Sequence, residues 1–135
     1  MTDKTSNIRA VLETTLDGIS GLPSIAWENV SFSPTTNSQY IKPRLVTTIR
    51  EPATRGLNPQ IYYQGYYLVE CYSPEGQGPS AADDLASTII NNFEATTDLT
   101  YNGTTVFLRY AERDLGVQEG AHYMVAVRIG WYLYD

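Results

Sequence analysis

Apolar residues recur at helical spacing in two stretches of this chain and alternate at strand spacing over most of the remainder. Ile8, Val11, Leu12, Leu16 and Ile19 form the first helical stripe, with Arg9, Glu13 and Asp17 lying off it. Gly18 and the run Gly21-Leu-Pro23 predict its end. The second stripe is Ala82, Leu85, Ala86, Ile89, Ile90 and Phe93. Pro79 suits the first position of that helix, and Asp83 and Asp84 fall near the positive end of its dipole.

Between and after the helices the period changes to two. A short strand is expected over residues 25–30 with Trp27 as its anchor, then a polar loop over 33–38. Over 40–50, Ile41, Leu45 and Ile49 share one face, while Lys42, Arg44, Val46, Thr48 and Arg50 share the other. Pro43 has no amide hydrogen, which places this strand at a sheet edge or starts it after the proline. Residues 51–60 hold two prolines and a glycine and predict a projecting loop between antiparallel strands. In the strand over 61–72, Tyr67, Val69 and Cys71 oppose Tyr66, Leu68, Glu70 and Tyr72. Asn102-Gly103 predicts a type I′ turn joining a short strand near Leu99 to one over 104–111. Residues 113–120 read as a second charged loop. In the last strand Tyr123, Val125, Val127, Ile129, Trp131 and Leu133 alternate with Met124, Ala126, Arg128, Tyr132 and Tyr134. The expected fold is α+β: an antiparallel or mixed sheet of about five strands on two helices, in a single domain over 1–135.

Composition sharpens this in two ways. Aromatic usage is skewed to 11 Tyr against 3 Phe and 2 Trp, which suits half-exposed strands and protein interfaces. Nine basic residues against fifteen acidic ones leave a net charge of −6, which argues against a surface for sequence-specific nucleic-acid binding. The opening residues lack the apolar core of a signal peptide, and no stretch approaches a membrane span. One cysteine excludes an internal disulfide, in keeping with a protein made in a cytoplasm.

Catalytic chemistry finds little support. His122 is the single histidine and has no partners at metal-ligand spacing. Cys71 falls on the apolar face of a strand, where a small hydrophobe is the better reading than a nucleophile. Asp83 and Asp84 are adjacent on a helix, so their side chains diverge. Gly76-Gln-Gly78 lacks both the third glycine of a dinucleotide fingerprint and the Gly-Lys-Ser/Thr end of a P-loop. The expectation is a protein that is not an enzyme and carries no metal or cofactor.

Four segments, in order, are similar to the tail-terminator-like proteins of long-tailed bacteriophages. These are Asn7-Ile-Arg-Ala-Val-Leu-Glu13, Gly21-Leu-Pro-Ser-Ile-Ala-Trp-Glu-Asn29, Gln64-Gly65 leading into Pro74-Glu-Gly-Gln-Gly78, and Gly120-Ala-His-Tyr-Met-Val-Ala-Val127. All four are structural corners and core strands. The Asp-rich helix start and the tyrosine-heavy strand depart from the more alanine-rich members of that family.

The resemblance implies a virion protein at the head–tail junction, assembled in the host cytoplasm. It would form a ring of six copies on the head-proximal end of the tail tube, stop tube growth and meet the head-connector or head-completion protein. Its partners are then itself, the tail-tube protein and the connector, with DNA passing through a ring whose negative charge repels phosphate and with no membrane involved. The residues expected at subunit or tube contacts are the basic Lys42, Arg44, Arg50, Arg55 and Arg113, with Tyr66, Leu68, Tyr72, Tyr132 and Tyr134 from the outer strand faces. Two alternatives stay open: a tail-tube or head–tail connector subunit, or a module that holds a carbohydrate or peptide on a tyrosine-rich sheet.

Overall fold

The computed structural model describes residues 4–33, 38–57, 59–74, 76, 79–94 and 98–134. The loop expected over 33–38 and the corner at 76–78 lie mostly outside those residues. The elements in chain order are α1 (Thr5–Asp17), β1 (Ser24–Ile25), β2 (Tyr40–Pro52), β3 (Ile61–Pro74), α2 (Ser80–Glu94), β4 (Asp98–Tyr101), β5 (Thr104–Arg113), β6 (Val117–Glu119) and β7 (His122–Tyr134). The strands form one mixed sheet in the order β1-β2-β3-β7-β5-β4, with β6 paired to β7. Among the described strands, only β1 and β2 run parallel. This is the α+β class that the periodicities predict, with seven described strands rather than about five, β6 being one that no periodicity marks.

Each helix turns its apolar stripe to the same face of the sheet. Ile8, Val11, Leu12 and Leu16 of α1 and Ala82, Leu85, Ala86, Ile89 and Phe93 of α2 join one buried cluster. The sheet contributes Tyr63, Tyr67, Val69 and Cys71 of β3 and Val125, Val127, Ile129, Trp131 and Leu133 of β7. Gly65 lies among them because it must: a Cβ there would meet the Val46 carbonyl oxygen, and the Trp131 ring at 2.8 Å. The sheet curls so that α1 reaches both margins. Arg9 Nη1 donates to Glu28 Oε1 at 2.5 Å beside β2, and Asn7 Nδ2 donates to Thr104 Oγ1 at 2.9 Å beside β4 and β5.

The strand expected over 25–30 shrinks to Ser24–Ile25. Ala26 N–H still donates to the Ile41 carbonyl, but Asn29 then takes a left-handed φ of 57° and the chain turns away. Pro43 explains why the ladder goes no further. The Ile41 carbonyl and the Leu45 N–H both point outward from β2, so by alternation the nitrogen of Pro43 does too. Past Ile41, β2 is therefore an edge, as the proline predicts, and a well-guarded one. Pro43 offers no donor, the Leu45 N–H is held by Glu28 Oε1 at 2.7 Å, a bulge interrupts the register at Thr47/Ile49, and Pro52 ends the strand. At the hairpin of β4 and β5, Asn102 and Gly103 have φ of 50° and 80°, as a type I′ turn requires.

Candidate functional site

The face of the sheet away from the helices is where the sequence-predicted contact residues gather. Cross-strand rows define it. Tyr40, Lys42, Arg44 and Val46 of β2 lie opposite Tyr72, Glu70, Leu68 and Tyr66 of β3. Those in turn oppose Met124, Ala126, Arg128 and Gly130 of β7, and farther along Gln64 and Tyr62 oppose Tyr132 and Tyr134. β5 completes the rows with Phe107 opposite Tyr132, Tyr110 opposite Gly130 and Glu112 opposite Arg128. No described helix packs on this face.

Its aromatic rings group at two ends. At one, Tyr62 lies 4.8 Å from Tyr134 and 6.5 Å from Tyr132, and Tyr132 stacks with Phe107 at 5.5 Å. At the other, Tyr40 and Tyr72 stack at 4.5 Å with their planes 6° apart, and His122 meets both edge-on. Between them Tyr110 covers Gly130, filling the space a side chain would take. Of the residues expected from sequence, Tyr66, Leu68 and Tyr132 are half-buried here, Tyr134 is exposed and Tyr72 is buried among its neighbours. Lys42 and Arg44 stand exposed on the same face.

The arginines divide differently from the expectation. Arg50 does not share a face with Lys42 and Arg44, because the bulge at Thr47/Ile49 shifts the pairing by one residue. It pairs with Tyr63, and its guanidinium lies 5.5 Å from the centre of that ring, while Ile49 moves to the outer face opposite Gln64. Arg113 is not in a loop: it ends β5, and its Nη1 sits 2.8 Å from Asp83 Oδ1 of α2. The segment 113–120 is likewise not a plain loop, since β6 pairs Val117, Gln118 and Glu119 with Met124, Tyr123 and His122. Arg55 lies exposed in the β2–β3 connection, next to a fully exposed Leu57. Ala53 N–H donates to the Gln60 carbonyl, so the ladder runs a step past the strands and the expected projecting loop is a long hairpin.

Sequence reasoning missed Phe107 and Tyr110 as members of this face, and left Arg128, which alternation places beside Tyr132 and Tyr134, out of the expected contact residues. A bulge between Leu108 and Tyr110 puts Phe107 and Tyr110 on one side, which simple alternation would not. Arg128 donates through Nη2 to Asp114 Oδ1, and this contact holds its guanidinium above the usual arginine range.

The groups weighed for catalysis are placed in structural settings. Cys71 is fully buried, and desolvation pushes its thiol up to about 12, so the thiolate nucleophile is disfavoured. Asp83 neutralises Arg113. His122 packs edge-on against the stacked Tyr40 and Tyr72 rings. Among the described residues, no three His, Cys, Asp or Glu side chains group as a metal site.

The comparisons agree with the resemblance read from sequence. A family model described as phage tail terminator protein matches residues 7–131. A solved protein structure matches with a TM-score of 0.73 over 94% of this chain and 93% of its own, at 20% identity, which shows a shared fold. No curated protein matches. With its helices, its curled sheet and nearly its whole length matched, this chain belongs to the phage tail terminator protein family.

Proposed function

We propose that this protein closes into a ring of six copies on the head-proximal end of the tail tube, ends tube growth there and offers the head connector its joining surface. The observation that carries this reading is the uncovered face of the four long strands. It combines aromatic area with exposed Lys42 and Arg44, the composition of a surface that another protein covers. The two β-hairpin ends, with Arg55 and Leu57 at one and Leu115 at the other, extend the contact chemistry beyond the sheet. A net charge of −6 suits a lumen through which DNA slides without adhering.

Purified protein added to polymerising tail tubes should arrest them at a defined length, seen as a narrowed length distribution by electron microscopy. Native mass spectrometry of the capped or concentrated protein should show one closed assembly. A strict monomer at every concentration, with tubes growing unchecked, sinks the reading. Arg55→Glu should weaken capping and leave the melting temperature nearly unchanged, because Arg55 is exposed. Arg50 and Arg113 are poorer probes, since reversing either charge also disturbs Tyr63 or Asp83.

One observation favours a second reading. Tyr40, Tyr62, Tyr66, Tyr72, Tyr110, Tyr132 and Tyr134 cluster on one sheet face, as a stacking site for a carbohydrate or peptide would need. Against it, the rings largely stack on one another, which leaves few free ring faces for a sugar. Binding of soluble glycans detected by a chemical-shift change at these tyrosines would revive it.

A further inference from the structure

The two lateral margins of the sheet carry complementary features at the same height along the strands. On the β2 margin, residues 26–32 and the start of β2 enclose a groove of about 340 Å³. Trp27, Val30, Phe32 and Pro43 give it an apolar lining, and Lys42 and Arg44 give it positive charge. Val30 is 60% exposed within it. Two carboxylates also line it: Glu28 is engaged by Arg9 and the Leu45 N–H, and Glu70 lies opposite Lys42 on β3, which among the described residues leaves Arg44 as the groove cation without a facing carboxylate. On the other margin, the turn from β5 into β6 projects Leu115, 89% exposed, with Val117, 46% exposed, beside it. Glu112 is exposed on the last turn of ladder before that projection.

The registers fix the alignment. Lys42 pairs with Glu70, Glu70 with Ala126, and the Ala126 carbonyl accepts from Asp114 N–H. One row lower, Tyr40 pairs with Tyr72, Tyr72 with Met124, and Met124 with Val117. Groove and projection therefore end the same rows, three strand spacings (about 14 Å) apart. A surface and its complement on opposite sides of one subunit make a heterologous contact, which generates a ring when its rotation closes.

We propose that copies of this chain join head to tail, with Leu115 and Val117 of one copy seated in the Trp27/Val30/Phe32/Pro43 groove of the next and Glu112 facing Lys42 and Arg44. The occupant is thus a second copy, argued from matching charge, an exposed apolar projection and row alignment. This rests on the ring reading above and assigns its subunit contact. Strand addition is a poor alternative at this margin, where the β2 edge is blunted by Pro43 and Glu28.

The test uses the full chain. Val30→Cys and Leu115→Cys, made separately, are mixed, oxidised with copper–phenanthroline and resolved by non-reducing electrophoresis. Cys71 is buried and stays out of the reaction. The mixture should give a covalent dimer that neither variant gives alone, and the double variant a ladder ending at the size of the ring. Lys42→Glu with Arg44→Glu should raise the concentration needed for assembly by about tenfold, and adding Glu112→Arg should recover most of it. Rings that form without the 30–115 cross-link, or that tolerate Leu115→Glu, overturn this contact and spare the ring reading. A wild-type chain that stays monomeric with tubes present overturns both.

Discussion

Gly65→Ala tests the packing of β3 against its two neighbours, and Gly130→Ala supplies the contrast. At Gly65 the added methyl would meet the Val46 carbonyl oxygen, Trp131 Cζ2 at 2.8 Å and Thr47 Cα at 2.9 Å. Two of these are backbone atoms of the adjacent strand, and the third belongs to a fully buried indole, so none can move without disturbing the ladder or the core. Overpacking of this kind costs about 3 kcal/mol. Loss of backbone freedom in the unfolded chain returns about 0.5 kcal/mol. The net, about 2.5 kcal/mol, lowers the melting temperature by roughly 8 °C for a chain of this size. At Gly130 the three atoms nearest the methyl all belong to the Tyr110 ring, which lies on the uncovered face, is 40% exposed and can swing aside. That substitution should cost less than about 1 kcal/mol. Calorimetric melting of both variants measures the difference. Trp131→Leu combined with Gly65→Ala should cost less than the sum of the two singly, because removing the indole edge relieves the clash. Equal melting temperatures for Gly65→Ala and Gly130→Ala would refute the reasoning, since both positions carry crowded hypothetical methyls and differ only in what can yield.

Three further outcomes follow from the same geometry. Glu28→Ala should destabilise the fold by about 1 kcal/mol, measured by urea unfolding, because the Leu45 N–H loses its acceptor and Arg9 keeps only Glu13 at 3.9 Å. Cys71 should resist iodoacetamide at pH 8 in native protein and react fully in urea; Cys71→Ala should cost about 1–2 kcal/mol as a small buried group lost. Burial raises the Glu13 carboxyl above its ordinary value, against a smaller opposing pull from Arg9. A carboxyl raised in the folded state favours folding while it is protonated, and that contribution is lost as pH rises through the folded value. Glu13→Gln should therefore gain in melting temperature relative to wild type at pH 7, with the gain vanishing below the carboxylate range.

The elements visible in the sequence are those whose apolar period runs uninterrupted. Both helices and the strand ending the chain satisfy one period throughout, and Asn102-Gly103 marks its turn by the φ values only such residues adopt readily. The misplaced features all involve a break in period or a partner distant in sequence. Alternation through Thr47 and Ile49 gives no sign of an inserted residue, so it puts Arg50 on the face opposite its true one. β6 exists because His122, Tyr123 and Met124 template it and Gly120 supplies a φ of 61° for the tight return; its own three residues carry no strand signal. β1 is a strand only through its parallel pairing with residues fifteen or more positions later. The candidate face was half legible: its tyrosines on β3 and β7 follow from alternation, whereas Phe107 and Tyr110 join it through a second bulge.

The guarded rim of β2 bears on how such a protein can count. Strand-to-strand hydrogen bonding has no natural stopping number: each added strand exposes another like the last, so an open rim is a template that copies itself. A proline without a donor, a carboxylate occupying the next amide and a bulge together remove that template from one margin of the sheet. In the contact proposed above, association through that margin falls to side chains of fixed shape, which set the rotation between one copy and the next. Growth by that head-to-tail contact ends only where the fixed rotation between copies closes a circle, a rotation that side-chain shape can set and an open strand rim cannot.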